Sequence, residues 1–229
     1  MGIDMKKLIL TLVLLLVPGL SFAGSQQIRN VVGMAKAQSA SPIFYESFDT
    51  NPGKDQTWTT FSADPDYATS PAPLVGTESA SLDYLETATR VQAWTGTYNV
   101  DFLMHIDAME NTGDSELLIF RDSGAVVIAR MYLTADDKLK PRQGATTGTA
   151  GAVISVAQTY HVWLEYAPST SSNGRFSIWM TVYTGSETKP GTVYAEVANG
   201  GSAAVPYDFR FSQSVETNGN ITLDEVRVW

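Results

Sequence analysis

Apolar and polar residues alternate along most of the chain from residue 43 onward, with the two-residue period of β-strands. In Tyr98–Ala108 every second residue is apolar, and the positions between them include Asn99, Asp101 and His105. Tyr160–Tyr166 and Phe176–Tyr183 show the same alternation. Because side chains alternate across a pleated strand, one face of each segment is predicted to enter a core and the other to face water or a ligand.

About a dozen segments of this kind are separated by clusters of Gly, Pro, Asn, Asp and Ser, which are typical of turns. The predicted strands are Ile43–Phe48, Gln56–Phe61, Ala80–Leu85, Arg90–Trp94, Tyr98–Ala108, Glu116–Phe120, Ala125–Leu133, Ala152–Val156, Gln158–Tyr166, Arg175–Tyr183, Val193–Val197, Tyr207–Ser212 and Ile221–Trp229. The Gly- and Thr-rich stretch Gly144–Gly151 is predicted to be a flexible loop. Since no helical pattern lies between the strands, the sequence predicts an all-β, two-sheet antiparallel sandwich.

The first 23 residues have a different pattern, that of a cleavable signal peptide. Lys6 and Lys7 precede the apolar run Leu8–Leu20, and Ser21-Phe22-Ala23 offers small residues at the cleavage positions. The run is shorter than the about 20 residues of a membrane span, so an uncleaved anchor is the less favoured alternative. Residues 24–42 are predicted to be a flexible linker, residues 43–229 one folded domain, and the mature protein secreted or periplasmic.

Charge and cysteine content exclude several function classes. The formal net charge is −9, and removal of residues 1–23 leaves 13 basic and 23 acidic residues. Nucleic-acid binding is therefore not expected, because contacts to phosphate depend on Lys and Arg. The same charge opposes binding of anionic glycans unless a local basic cleft exists. The chain has no cysteine, which excludes disulfides and thiolate catalysis.

The two ends of the predicted domain resemble a known superfamily. The domain opens with Phe44-Tyr45-Glu46-Ser47-Phe48-Asp49, and it closes with Ile221-Thr222-Leu223-Asp224-Glu225-Val226-Arg227-Val228-Trp229. These segments are similar to concanavalin A-like lectin and glucanase domains, especially bacterial laminin-G-like (LamG) domains, and to the end strands of family 16 glycoside hydrolases. The resemblance implies a jelly roll whose first and last strands are neighbours.

The resemblance also implies a structural calcium ion at the terminal strands, with Glu46, Asp49 and Asp224 as ligands. Ca²⁺ takes six to eight oxygen ligands, including backbone carbonyls, so a few carboxylates are sufficient. The alternative is that Asp49 caps the turn before Asn51-Pro52-Gly53 and that Asp224 accepts a hydrogen bond from a neighbouring backbone amide.

Five residues on the non-core face of two strands form the candidate carbohydrate site: His161, Trp163, Glu165, Trp179 and Tyr183. Aromatic rings stack on sugar rings, and polar neighbours supply hydrogen bonds to hydroxyl groups. This arrangement requires the two strands to be adjacent. The alternative is that a loop or the N-terminal segment covers the rings.

No catalytic residue is assigned. Family 16 hydrolases carry Glu-x-Asp-x-x-Glu on one strand, and the matching stretch here has His105 in place of the nucleophile, followed by Asp107 and Glu110. The favoured function is a secreted, non-catalytic carbohydrate-binding or cell-surface interaction module. The alternatives are a glycoside hydrolase or polysaccharide lyase on the same fold, and a structural surface protein.

Overall fold

The computed structural model describes residues 42–48, 58–62, 75, 79–82, 86–92, 96–106, 113–156, 158–168, 173–213 and 221–229. Residues from Pro42 to Trp229 form one compact unit. The predicted signal peptide and linker, and also Asp49, Asp107 and Glu110, lie outside the described residues. Within those ranges the regular secondary structure is entirely β. No helix among them is long and apolar enough to cross a membrane.

Fourteen strands are described. They are β1 (Phe44–Glu46), β2 (Thr60–Ser62), β3 (Ala80–Leu82), β4 (Thr87–Val91), β5 (Tyr98–Ile106), β6 (Ser115–Arg121), β7 (Val127–Leu133), β8 (Leu139–Gln143), β9 (Thr146–Thr147), β10 (Thr159–Ala167), β11 (Gly174–Val182), β12 (Ala195–Gly200), β13 (Asp208–Ser212) and β14 (Ile221–Val228).

The strands form two seven-stranded antiparallel sheets. The first sheet has the order β1-β14-β5-β10-β11-β12, with β3 also paired to β14, and the second has the order β2-β4-β13-β6-β7-β8-β9. This confirms the predicted all-β, two-sheet antiparallel sandwich. The first and last strands of the domain are neighbours, with Phe44 opposite Val228.

The core lies between the two sheets and is rich in aromatic rings. Phe102 on β5 and Phe211 on β13 join the sheets edge to face, with ring centroids 4.9 Å apart. Aromatic pairs of this kind contribute about 0.5–1.5 kcal/mol beyond the apolar area they bury. The predicted inward residues of β5 and β10 are buried as expected: Tyr98, Val100, Phe102, Met104, Ile106, Tyr160, Val162, Leu164 and Tyr166.

Two segments differ from the sequence-based prediction. Gly144–Gly151, predicted to be a loop, contains β9, and the preceding residues form β8. The sequence does not predict β8, because proline and charged residues are depleted in strands. This strand contains Lys140, Pro141 and Arg142. Conversely, Ala152–Val156 was predicted to be a strand but makes only one isolated bridge, between Val153 and Lys138.

Candidate functional site

The outer face of the first sheet carries one row of charged and aromatic side chains across four strands. Arg227 on β14 lies opposite Asp101 on β5, Asp101 lies opposite Trp163 on β10, and Trp163 lies opposite Trp179 on β11. In the neighbouring row, Leu103 separates Asp224 from His161. The strands that carry Trp163 and Trp179 are therefore adjacent, which is the condition that the candidate carbohydrate site requires.

A β-bulge in β14 is what turns Arg227 to this face. The pairing with β5 shifts between Asp224 and Arg227, and Glu225 adopts a φ of 51°. A bulge inserts one extra residue, so the alternation of inward and outward side chains restarts one position later. As a result, Leu223 and Val226 both enter the core.

Asp101 is buried on this face and accepts hydrogen bonds from side chains on two other strands of the sheet and from Trp229. Arg227 Nη1 donates to its Oδ1 at 3.1 Å, and Trp229 Nε1 donates to its Oδ2 at 2.5 Å. His161 Nε2 lies 3.1 Å from Oδ1. Because a carboxylate only accepts, this contact places a proton on Nε2. Asp101 is only 4% exposed, so these donors offset the cost of burying its carboxylate.

His161 is held from two more sides. Its ring stacks on Trp163 with centroids 3.7 Å apart, and its Nδ1 lies 3.8 Å from Glu187 Oε2. Glu187 belongs to the connection between β11 and β12. The imidazole thus lies between two carboxylates, with its orientation fixed by Trp163.

The same β11–β12 connection covers part of the predicted aromatic surface. Lys189 Nζ lies over the Trp179 ring, 3.4 Å from its centroid, and Trp179 is only 9% exposed. Glu165 is occupied as well, because Arg175 donates to it at 2.5 Å and Lys189 lies 3.8 Å from it. Burial lowers the pKa of Lys189. Among the predicted rings on these two strands, Trp163 is the more accessible one.

Two adjoining depressions open on this face. The larger, about 410 Å³, is lined by Trp163 and Trp229 together with polar groups that include Asn99 and Lys189. The smaller, about 250 Å³, is lined by Tyr183, Leu103 and Glu225 among others. His161, Glu187 and Arg227 line both.

Sequence reasoning missed Asp101, Glu187, Lys189, Arg227 and Trp229 as members of this site. A signal existed for Asp101, which is an outward position of an alternating strand. The break in alternation between Leu223 and Val226 also marks the bulge that reorients Arg227. The neighbour relations of β14, β5 and β10 could not be read from the chain, because they are long-range pairings.

Two groups at this face, one buried and one half-buried, have raised pKa values. Burial raises the pKa of Asp224 to about 7, although its Oδ2 accepts hydrogen bonds from Val75 N and from Ser79 Oγ. Burial and the charge of Glu187 raise the pKa of Tyr183. Both shifts favour the protonated forms of these side chains.

The described members of the predicted calcium site do not fit a shared ion. Glu46 lies on the core face of β1, where its carboxylate accepts hydrogen bonds from Phe48 N at 3.0 Å and Trp58 Nε1 at 3.1 Å. Asp224 lies on the opposite face of the same sheet. No cluster of three or more candidate metal ligands occurs within the described ranges. The calcium prediction therefore rests on Asp49, which lies outside them.

His105 lies on the outer face of β5 with its Nδ1 3.1 Å from Thr159 Oγ1. This contact joins it to the neighbouring strand β10. The other residues of the hydrolase-like stretch, Asp107 and Glu110, are outside the described part of the chain.

No protein-family model matches the sequence, and no curated protein sequence matches it. Solved structures do match the fold. The endo-β-1,4-glucuronan lyase from the fungus Trichoderma reesei aligns with a TM-score of 0.58 at 13% identity, over 82% of this chain and 95% of that one. The marine PL-14 alginate lyase from Aplysia kurodai aligns with a TM-score of 0.60 at 8% identity, over 83% and 99%. The cellulose-induced protein Cip1 aligns with a TM-score of 0.52 at 14% identity, over 81% and 96%.

The chain therefore has the jelly-roll sandwich fold of these solved structures. At these identities the likeness defines the fold, and one such fold carries many functions. The finer laminin-G-like assignment stays a prediction.

Proposed function

We propose that this protein binds a glycan on the outer face of its first sheet, in the depression lined by Trp163 and Trp229. The observation that carries the proposal is the presence of these two indole rings in one cleft of about 410 Å³, with Asn99 and Lys189 beside them. Sugar rings present C–H faces that stack on aromatic rings, and their hydroxyl groups need polar partners at the edge.

The charges around the cleft favour an uncharged sugar chain. Arg227 pairs with Asp101 and Glu225, and Lys189 lies near Glu165. The positive charges of Arg227 and Lys189 are thus already close to carboxylates. An anionic sugar would have to compete with these carboxylates, whereas a neutral sugar needs only hydrogen bonds and stacking.

The structural neighbours support a glycan as the ligand class. Two of them are named as lyases of glucuronan and alginate, and a third as a cellulose-induced protein. They share the sandwich fold with this chain. Export from the cytoplasm is part of the same proposal, because the Lys6–Ala23 pattern is that of a signal peptide.

One arrangement favours a polysaccharide lyase as the second candidate. His161, Tyr183 and Arg227 line the same depression of about 250 Å³. A β-elimination on a uronate needs a base that removes the proton next to the carboxylate and a cation that stabilises the charge that develops. The raised pKa of Tyr183 and the carboxylate partners of Arg227 oppose this chemistry, so binding without turnover is the primary proposal.

The test combines a glycan array with assays for reducing ends and for unsaturated products on a polysaccharide panel. We expect binding without product, weakened about tenfold or more in Trp163→Ala and in Trp229→Ala, because truncation of a central aromatic costs on the order of 2 kcal/mol. Trp179→Ala should have a smaller effect, since Lys189 covers that ring. Tyr207→Ala removes an exposed aromatic elsewhere and is the matched control.

The outcomes separate the candidates. Product formation that is lost in Tyr183→Phe and in His161→Ala would replace the binding proposal with the lyase. If the protein shows neither binding nor product formation with any member of the panel, the remaining interpretation is a structural surface protein. Binding that is unchanged in both Trp163→Ala and Trp229→Ala would show that the cleft is not the site.

A further inference from the structure

The outer face of the second sheet concentrates positive charge in an otherwise acidic chain. Four of the eight arginines in the sequence lie there: Arg121, Arg130, Arg142 and Arg210. Strand pairing places three of them in one row, since Arg210 lies opposite Ile119, Ile119 opposite Arg130, and Arg130 opposite Arg142. The row crosses four adjacent strands, which are spaced about 4.8 Å apart.

The nearby carboxylates neutralise only part of this charge. Asp208 forms a bidentate pair with Arg121 at 2.8 and 2.7 Å, and Glu116 pairs with Arg130 at 2.8 Å. Within the described ranges, no carboxylate lies within ion-pair distance of Arg142 or Arg210. Arg142 Nε donates to the Gly144 carbonyl at 3.1 Å, and Arg210 Nε is buried without a hydrogen-bond partner there.

The row is also partly desolvated. Ile119 is fully buried between Arg210 and Arg130, although it lies outside the core cluster. The aliphatic stems of arginines cover apolar surface in this way while their guanidinium groups stay near solvent. Burial and the neighbouring charge of Arg121 lower the pKa of Arg210. Guanidinium groups held close together in partly dry surroundings bind anions more strongly than freely hydrated ones.

A depression of about 150 Å³ is lined by Arg130 and Arg142 together with Val127, Ile128, Ala129 and Gly144. Its volume suits a carboxylate or sulfate group. We propose that this arginine row is a second binding surface, which takes the anionic groups of an acidic polysaccharide. It is independent of the cleft at Trp163, which lies on the other sheet.

A polysaccharide fits this surface better than a nucleic acid. Tyr132 is the one aromatic side chain described on this part of the face. Single-stranded nucleic acids depend on several stacking rings in addition to cations. A linear acidic glycan instead presents a repeating series of anions, which the arginines on three of the four strands can contact.

The test measures binding of the full chain to polygalacturonate, dextran sulfate, neutral dextran and single-stranded DNA, at about 50 mM and about 500 mM salt. We expect binding to at least one acidic polysaccharide, weaker at the higher salt, and none to dextran. Arg142→Gln should weaken binding of the acidic polysaccharide about tenfold. The double variant Arg142→Gln with Arg210→Gln should weaken it further, because each substitution removes a charge-assisted hydrogen-bonding group. Comparison of the two acidic polymers identifies the preferred anion.

Matched variants distinguish this surface from net charge and from the first cleft. Arg175→Gln removes the same charge from the other sheet and should bind as wild type. Arg142→Lys should retain part of the affinity, because it keeps the charge but loses the fork of donors. Trp163→Ala should leave acidic-polymer binding unchanged. Thermal melting confirms that each variant is folded. No binding to either acidic polymer, unchanged binding in the double variant, or tighter binding of DNA would overturn the proposal.

Discussion

Asp101 and Asp224 show how two carboxylates on one face of a sheet differ through their surroundings. Asp101 accepts hydrogen bonds from the Arg227 guanidinium and from the Trp229 indole. Asp224 accepts hydrogen bonds from neutral groups, Val75 N and Ser79 Oγ, and burial raises its pKa to about 7. Hydrogen bonds from neutral donors thus do not fully offset desolvation.

The raised pKa of Asp224 predicts a pH-dependent stability. Its folded pKa lies above the usual 3.8, so the folded state binds the proton more tightly than the unfolded state does. The contribution of Asp224 to the free energy of unfolding is fully present below about pH 4. It is lost as the pH rises through about 7, and the loss is at most about 4 kcal/mol. Asp224→Asn carries no charge, so its free energy of unfolding should fall less between pH 5 and pH 8.

Urea unfolding at several pH values measures this difference. Asp114→Asn, which changes a more exposed carboxylate beside Lys140, should keep the wild-type slope. A slope in Asp224→Asn equal to that of the wild type would show that this carboxyl group does not control the pH dependence.

At the scale of elements, the long alternating strands could be predicted from the sequence and the short ones could not. β5, β10 and β11 each pair with two neighbours over many residues, so their inward faces are consistently apolar. β8 and β9 are held by tertiary contacts: Leu139 is fully buried, and Gln143 reaches the Ala167 carbonyl on β10. The candidate site was only partly predicted for the same reason, because Trp163 and Trp179 follow an alternating pattern whereas Arg227 depends on a bulge.

The contact of the β9 region with β12 depends on Gly148. Its backbone N donates to Pro141 O at 2.8 Å, and a methyl group at this position would lie 2.2 Å from the Glu196 carbonyl oxygen. We expect Gly148→Ala to destabilise the fold by about 1–3 kcal/mol, because the backbone of β12 must move. Gly113→Ala, where nothing lies within 4 Å, is the control. Equal unfolding free energies for the two variants would contradict this packing.

At the scale of the whole molecule, export is a direct prediction from the N-terminal pattern. A chain processed after Ala23 begins at Gly24 and is found outside the cytoplasm. N-terminal sequencing of the exported protein tests this. A mature chain that retains Leu8–Leu20 would refute the predicted cleavage.

Calcium binding is a second prediction for the whole molecule. A ligand that binds only the folded state stabilises it by RT ln(1 + [L]/Kd), so a chelator should lower the melting temperature and added Ca²⁺ should restore it. Because Glu46 faces the core and Asp224 the opposite side, Asp49→Asn should abolish the effect of the chelator. A melting temperature that does not change in chelator would show that calcium does not stabilise this protein.

The pairing of the first and last strands also determines how the domain responds to mechanical tension. Ile43 N donates to Val228 O, so the two ends of the domain leave from the same end of an antiparallel pair that is three residues long. Tension between residue 42 and Trp229 therefore loads the hydrogen bonds of β1 one after another instead of all together. β1 should peel away at low force and withdraw Phe44 from the Trp58 ring, while β14 stays held by β5 and β3.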